Sequence, residues 1–380
     1  AFTMLRSALN ALVLAAVLAG AALAAAPRVE KAEPPNWWAG HSVATVRMLI
    51  RGSGFAGARV ISPSAGLKVG GVRANVAGDH LFFDIAIAKD ARPGKYEFRI
   101  ETAAGSTAFE WELLPELSPR DPKDEVTSDD IIYLIMTDRF VDGDERNNKD
   151  VDRRNPRGWH GGDIRGVISR LDYLKELGIT AIWLTPWYDN PDEPNTCAQP
   201  WCPYTNYHGY HAIDYYGVEN HFGTMADLRE LVSEARKRGI KVIQDQVANH
   251  VGVQHEWVKR PPLPNWFSPF KQNTFNDSVL FSPNASPAER DILLRGWFNE
   301  FLPDLNQDEP EVSRYLIQNA LWWIGMTGID GIRQDTIQYM PRTFIRDWST
   351  AILRQYPNFY LVGEVLEMDS AHLAFFQGGK

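Results

Sequence analysis

Ile240-Lys241-Val242-Ile243-Gln244-Asp245-Gln246-Val247-Ala248-Asn249-His250 begins as a compact apolar run and ends in Asp, Asn and His. A short apolar run after a helical pattern reads as a buried strand. The helical pattern before it spans 225–238 and stops at Gly239. The same alternation extends in both directions. Upstream lie a strand at 131–136, a helical stripe (Ile164, Val167, Ile168, Leu171, Leu174, Leu177) ended by Gly178, and a strand at 180–184. Downstream lie a helix at 312–326, a strand at 328–332, a helix at 341–355 and a strand at 359–362. Repeated strand–helix units favour an α/β fold with a parallel sheet under helical cover. The period alone fits the first five units of a (β/α)8 TIM barrel, incomplete in this chain, or a doubly wound open sheet.

The polar residues at the strand ends weigh toward the barrel. The third strand ends in Asp245, Asn249 and His250, the fourth in Arg333 and Asp335, and the fifth in Glu364. In a parallel barrel the C-terminal strand ends converge on one pocket, so residues far apart in sequence can meet there. A long excursion, 251–306, rich in Pro, Asn and aromatics, interrupts the alternation after the third strand.

Residues 27–115 carry a different pattern. Leu81, Phe83, Ile85 and Ile87 alternate with their neighbours, as do Tyr96, Phe98 and Ile100, then Phe109, Trp111 and Leu113. Turn signals at Arg92-Pro93-Gly94 and Ala104-Gly105-Ser106 separate them, which predicts an all-β, immunoglobulin-like sandwich. A polar linker, 116–130, joins it to the barrel region, 131–380. Ahead of it, Arg6 followed by an uncharged run to Ala26 with small residues at its end predicts a secretory signal peptide over 1–26, with an uncleaved anchor as the alternative. That reading expects a secreted or periplasmic protein, off the membrane after cleavage. The two cysteines, Cys197 and Cys202, would close a loop as a disulfide in an oxidising compartment. A net charge of −9 speaks against nucleic-acid or anionic-membrane partners.

Taken in order, these segments resemble the signature regions of the α-amylase superfamily, glycoside hydrolase family 13. Leu302-Pro303-Asp304-Leu305-Asn306 is similar to a motif of its neopullulanase and cyclomaltodextrinase branch. Tyr207-His208-Gly209-Tyr210 with Asp214-Tyr215-Tyr216 resembles the segment lining the reacting sugar's subsite. The β region, with Pro35-Asn36-Trp37-Trp38, resembles the N-domain of periplasmic cyclomaltodextrinases. The resemblance implies a retaining glycosidase with Asp335 as nucleophile and Glu364 as general acid/base, cleaving α-1,4 links, with tolerance of α-1,6 links, in maltooligosaccharides, cyclodextrins, pullulan or starch. Arg333, two residues before Asp335 on one strand face, would keep it ionised. Burial against aromatics would raise Glu364. His208, Tyr210 and His250 would hold the sugar, and Asp245 would orient Arg333. The family's third acid, an Asp after the seventh strand, has no match before Lys380.

Asp142-Gly143-Asp144-Glu145-Arg146-Asn147-Asn148 places five oxygen-bearing side chains in one loop. Calcium takes 6–8 oxygen ligands. The spacing resembles the N-terminal calcium loop of cyclodextrin glucanotransferases, which implies Asp142, Asp144, Asn147, Asn148, Gly161 and Asp163 as Ca2+ ligands. The alternative is a solvated polar loop. Asn249, a ligand in many amylases, would need carboxylate company from the excursion. Trp159, Trp187, Tyr188, Trp201, Trp257, Trp266, Trp297 and Tyr339 are candidate sugar platforms, some of them core. Competing functions are transglycosylation through the same carboxylates, a non-catalytic glucan-binding protein, and a structural fragment with exposed strand edges. The sandwich would pack on the barrel or support a homodimer.

Overall fold

The computed structural model describes residues 25–196, 200 and 202–377. The expected signal segment therefore lies almost wholly outside the described residues, as do Cys197 and Trp201. The chain divides into two compact units, Ala1–Glu116 and Leu117–Lys380.

The first unit is a two-sheet sandwich. One sheet has the order β1 (Arg28–Glu33), β3 (Thr45–Ser53), β6 (His80–Ile87), β5 (Leu67–Ala74). The other runs β2 (Asn36–Trp38), β8 (Gly105–Leu114), β7 (Gly94–Thr102), β4 (Arg59–Ile61). All neighbours are antiparallel except β2 beside β8. Alternation along the strands sends Leu81, Phe83 and Ile85, then Phe98 and Ile100, then Trp111 and Leu113, into the interior. Phe98 stacks on Phe109 at 5.6 Å and meets Trp111 edge-on at 6.1 Å. Such ring pairs add about 0.5–1.5 kcal/mol each beyond buried area.

The second unit is built on five parallel strands, β9 (Ile132–Ile135), β10 (Ala181–Leu184), β13 (Lys241–Gln246), β14 (Gly331–Gln334) and β15 (Tyr360–Gly363). They lie side by side in chain order. A doubly wound sheet reverses its strand order at a switch point. This sheet has no reversal, which is the sequential winding of a (β/α)8 barrel. Helices Met225–Lys237, Pro310–Thr327 and Arg342–Gln355 cover it. Each outer strand leaves apolar side chains exposed, Leu134 on β9 and Val362 on β15 among them.

Three local features depart from the periodicity. The stripe from Ile164 is two short helices, Ile164–Ser169 and Leu171–Glu176, broken at Arg170, whose φ of −112° and ψ of 8° are not helical. The Ser169 hydroxyl donates to the Gly166 carbonyl just before the break, a local bond that competes with the helical one. A hairpin, β11 (Tyr188–Asp189) and β12 (Asp214–Val218), rises after β10. Its first arm is too short to carry a period. The excursion folds three short helices, the longest, Pro287–Arg295, started by a Ser286/Glu289 capping box with proline in the first turn.

Candidate active site

Parallel register puts Asp245 on β13 beside Arg333 on β14, so both project from the same sheet face. Asp335 continues the strand line, its N–H donating to the Gln246 carbonyl at 2.9 Å. The Glu364 N–H donates to the Gln334 carbonyl at 2.9 Å. The consequence is one guanidinium serving three carboxylates. Arg333 Nη1 donates to Asp245 Oδ1 and Asp335 Oδ1, each at 2.7 Å, and Nη2 lies 2.8 Å from Glu364 Oε1. Burial raises both Asp335 and Asp245. For Asp335 the Asp245 charge adds to the rise and Arg333 opposes it. The arrangement sets three negative charges against one fixed positive charge, a site prepared to exchange protons rather than one closed by pairing.

Arg333 pairs with Asp335 as expected, while burial and the Asp245 charge push the Asp335 carboxyl up. Glu364 follows β15, with 40% of its side chain exposed and its Oε2 accepting the Thr336 N–H at 3.0 Å. Thr336 holds a left-handed φ of 51°, strained for a β-branched residue, immediately after Asp335.

The loop between the hairpin arms brings His208 and Tyr210 to this cluster. Gly209 is required at its turn: φ is +86°, and a Cβ there would lie 1.9 Å from the Pro186 carbonyl oxygen at the end of β10. The Tyr210 hydroxyl donates to Asp245 Oδ2 at 2.8 Å. His208 Nδ1 accepts from the Tyr210 N–H, and the rings of the two residues stack at 5.8 Å. His250 Nε2 meets the Tyr210 carbonyl at 3.1 Å, which makes that nitrogen the N–H and leaves buried Nδ1 as an unpartnered acceptor. Burial pushes His208 and His250 down to about 4, so both are neutral at pH 7.

The aromatic candidates are mostly core. Trp159, Trp187, Tyr188, Trp257, Trp266 and Tyr339 are buried, and Trp297 is half-buried. A ring the sequence reading passed over, Phe275, is 48% exposed at a φ of 52° and meets Tyr339 edge-on at 5.7 Å.

The acidic loop carries the marks of a cation cradle. Asp142 Oδ1, Asn147 Oδ1 and Asn148 Oδ1 are buried without a hydrogen-bond partner. Buried oxygens in that state are costly unless something positive meets them. Gly161 (φ +83°) closes against them, and a Cβ there would fall 2.4 Å from Asn148 Oδ1. The other two expected ligands are used differently. Asp163 accepts four bonds, from the Gly143, Asp144 and Gly166 N–H groups and the Asn147 amide, and so organises the loop. Asp144 turns outward to Arg146, which holds it down to about 2.

A second such place joins Asn249 to Asp304. The excursion returns antiparallel to the end of β13 there, with the Leu305 N–H donating to the Asn249 carbonyl at 2.8 Å. Both side-chain polar atoms of Asn249 and both carboxylate oxygens of Asp304 are buried without a completed hydrogen bond. Burial raises Asp304 well above its usual range, opposed by Ser268, Arg295 and Asn249. Asp304 is the carboxylate company that Asn249 needed, and the sequence reading had used Leu302–Asn306 only as a branch marker. Among the described residues Asp192, Glu219 and His221 also converge. Lys149 Nζ meets Asp192 Oδ2 and His221 Nδ1 meets Glu219 Oε1, each at 2.7 Å, while Asp192 Oδ1 is buried without a hydrogen-bond partner.

Residues 134–380 match the family described as the alpha amylase catalytic domain. The chain belongs to the α-amylase family. Residues 31–115 match the cyclomaltodextrinase N-terminal domain. The chain is 34% identical over 250 residues to a beta/alpha-amylase of Paenibacillus polymyxa, covering 64% of this chain and 19% of that protein. It is 32% identical over 247 residues to a cyclomaltodextrin glucanotransferase of Klebsiella oxytoca, covering 58% and 34%. The crystal structure of an Anoxybacillus alpha-amylase superposes with a TM-score of 0.57 at 40% identity, covering 67% of this chain and 50% of that one. The chain thus spans half or less of each of these relatives.

Proposed function

We propose that the protein is a retaining α-glucan hydrolase acting on maltooligosaccharides, cyclodextrins, pullulan or starch. Asp335 attacks the anomeric carbon, and Glu364 protonates the leaving oxygen and later activates water. The observation that carries this reading is the single Arg333 guanidinium touching Asp335, Asp245 and Glu364 at the C-terminal ends of three neighbouring strands. Tyr210 and the neutral histidines His208 and His250 line the sugar position, and His250 Nδ1 is left to accept from a hydroxyl. The branch-type N-terminal domain supports cyclomaltodextrinase-like substrates.

Calcium fits both cradles. Asp142, Asn147, Asn148 and Gly161 would hold one ion, Asn249 and Asp304 a second, and each would supply a fixed charge that locks loops beside the site. We read the protein as secreted or periplasmic on its N-terminal segment.

Reducing-sugar release from β-cyclodextrin, pullulan and starch tests the reading beside Asp335→Asn and Glu364→Gln. We expect a loss of about 10^4-fold or more in Asp335→Asn, as when other covalent nucleophiles are removed. Undiminished release in either variant contradicts the carboxylate roles, and a wild type inert on all three glucans contradicts the activity. The likeness to a glucanotransferase favours transfer as the second reading. New oligosaccharide linkages without free reducing ends would select it.

A further inference from the structure

Asp245 is fully buried, and its second oxygen has a partner that the mechanism above does not use. Trp183 sits on β10 in register with Ile243, two residues before Asp245 on the neighbouring strand, so its side chain shares the Asp245 face. The indole Nε1–H donates to Asp245 Oδ2 at 2.9 Å. Its ring face carries the Arg333 guanidinium, whose Cζ lies 5.1 Å from the ring centroid. One side chain therefore holds both members of the buried ion pair, the acid by its edge and the base by its face.

We infer that Trp183 is a positioning residue of the catalytic centre: it fixes Asp245 and Arg333 together and, through Arg333, sets where Asp335 and Glu364 stand. The inference rests on the hydrolase reading. The geometry explains why tryptophan is suited to the position. Phenylalanine offers a face for the guanidinium but no donor. Glutamine offers a donor but no face. The N–H is one of three donors that Asp245 receives from three elements, with Arg333 on β14 and Tyr210 on the hairpin loop. The other titratable groups around this cluster are Asp335 after β14, Glu364 after β15, Tyr188 on β11, His208 on the loop and His250 after β13. With one donor removed the charged form of Asp245 is less favoured, and Arg333 is released toward its two remaining carboxylates.

The test uses the full-length protein with Trp183 replaced by 3-benzothienylalanine, which keeps the ring shape and puts sulfur in place of N–H. Trp183→Phe is the genetically encoded companion. Both are assayed for kcat and KM across pH on the best of the three glucans, with Tm recorded. We expect kcat to fall roughly 10- to 100-fold, as for other small misplacements of reacting groups. KM should change little, the acid limb of the profile should move to lower pH as Arg333 leans on Asp335, and the benzothienyl variant should keep the wild-type Tm. Wild-type kcat and pH profile in the benzothienyl variant, with Asp335→Asn still dead, overturns the role of Trp183 and leaves the hydrolase reading standing. Loss that tracks a lowered Tm in both variants, with an unshifted profile, makes Trp183 a packing residue and also overturns the inference. A wild type without activity removes both readings together.

Discussion

The two ends of β14 solve the same electrostatic problem in opposite ways. At its N-terminal end Asp330 is buried, and two guanidinium groups serve it: Arg120 at 2.8 Å and Arg236 at 2.9 Å, with the Val242 N–H at 2.9 Å on its other oxygen. At its C-terminal end one guanidinium, Arg333, serves three carboxylates. The first end is matched in charge, because Arg236 also meets Asp124 at 2.8 Å and two guanidinium groups serve two carboxylates. The second has too little positive charge and is left able to gain or lose a proton. Barrels keep stability at the N-terminal face of their strands and chemistry at the C-terminal face, and here the charge ratio across a few residues makes the distinction legible.

Substitution can break that contrast. Asp330→Asn leaves two cations without their shared anion, and removing one partner of a buried pair costs about 3–5 kcal/mol. We expect a large fall in urea midpoint or Tm with residual kcat intact. A stable variant with lost activity would reverse the roles of the two ends. The cation cradles come next in size. Calcium at a hundredfold its Kd adds about 2.7 kcal/mol to a protein that binds it only when folded. A calcium-dependent rise in Tm should therefore appear in the wild type, shrink in Asp142→Ala and in Asp304→Asn, and persist in Asp144→Ala, whose carboxylate faces Arg146 instead. Equal response in all four proteins would remove calcium from both cradles.

The smallest effect has the most telling sign. Asp335 titrates above the unfolded value of about 3.9, so over that interval the folded state binds more protons than the unfolded chain, and stability falls as pH rises through it. Asp335→Asn removes that penalty. We expect it to be more stable than the wild type at neutral pH, and the gain to vanish below about pH 4, where the carboxyl is protonated in both states. A loss of stability at pH 7 would mean that Asp335 is a structural pair to Arg333.

Much of this was readable from the chain because its strongest signals are periodic or polar at fixed places. The alternation of Leu81, Phe83 and Ile85 announced the sandwich, and each barrel strand fell within three residues of its apolar run. The order of the strand ends likewise brought Asp245, Arg333, Asp335 and Glu364 together. What escaped lies in tertiary detail. Trp183 looked like one more apolar strand residue, because nothing local says that its N–H meets Asp245. Asp304 looked like part of a branch motif, because its partner Asn249 is far off in sequence and joined only when the excursion folds back. Trp159, Trp187, Trp257 and Trp266, read as candidate platforms, turned inward, since large rings in a crowded region gain more by burial than by display.

The central claim is that Asp335 is the carboxyl that bonds to sugar. Inactivating the full-length protein with a 5-fluoro-α-maltosyl fluoride, which forms the glycosyl-enzyme quickly and releases it slowly, and mapping the added mass by peptide mass spectrometry asks this directly. The account predicts one glycosyl group per chain, on the peptide carrying Asp335. A label on Glu364 or Asp245, or turnover of the fluoride with no labelled peptide, would contradict it.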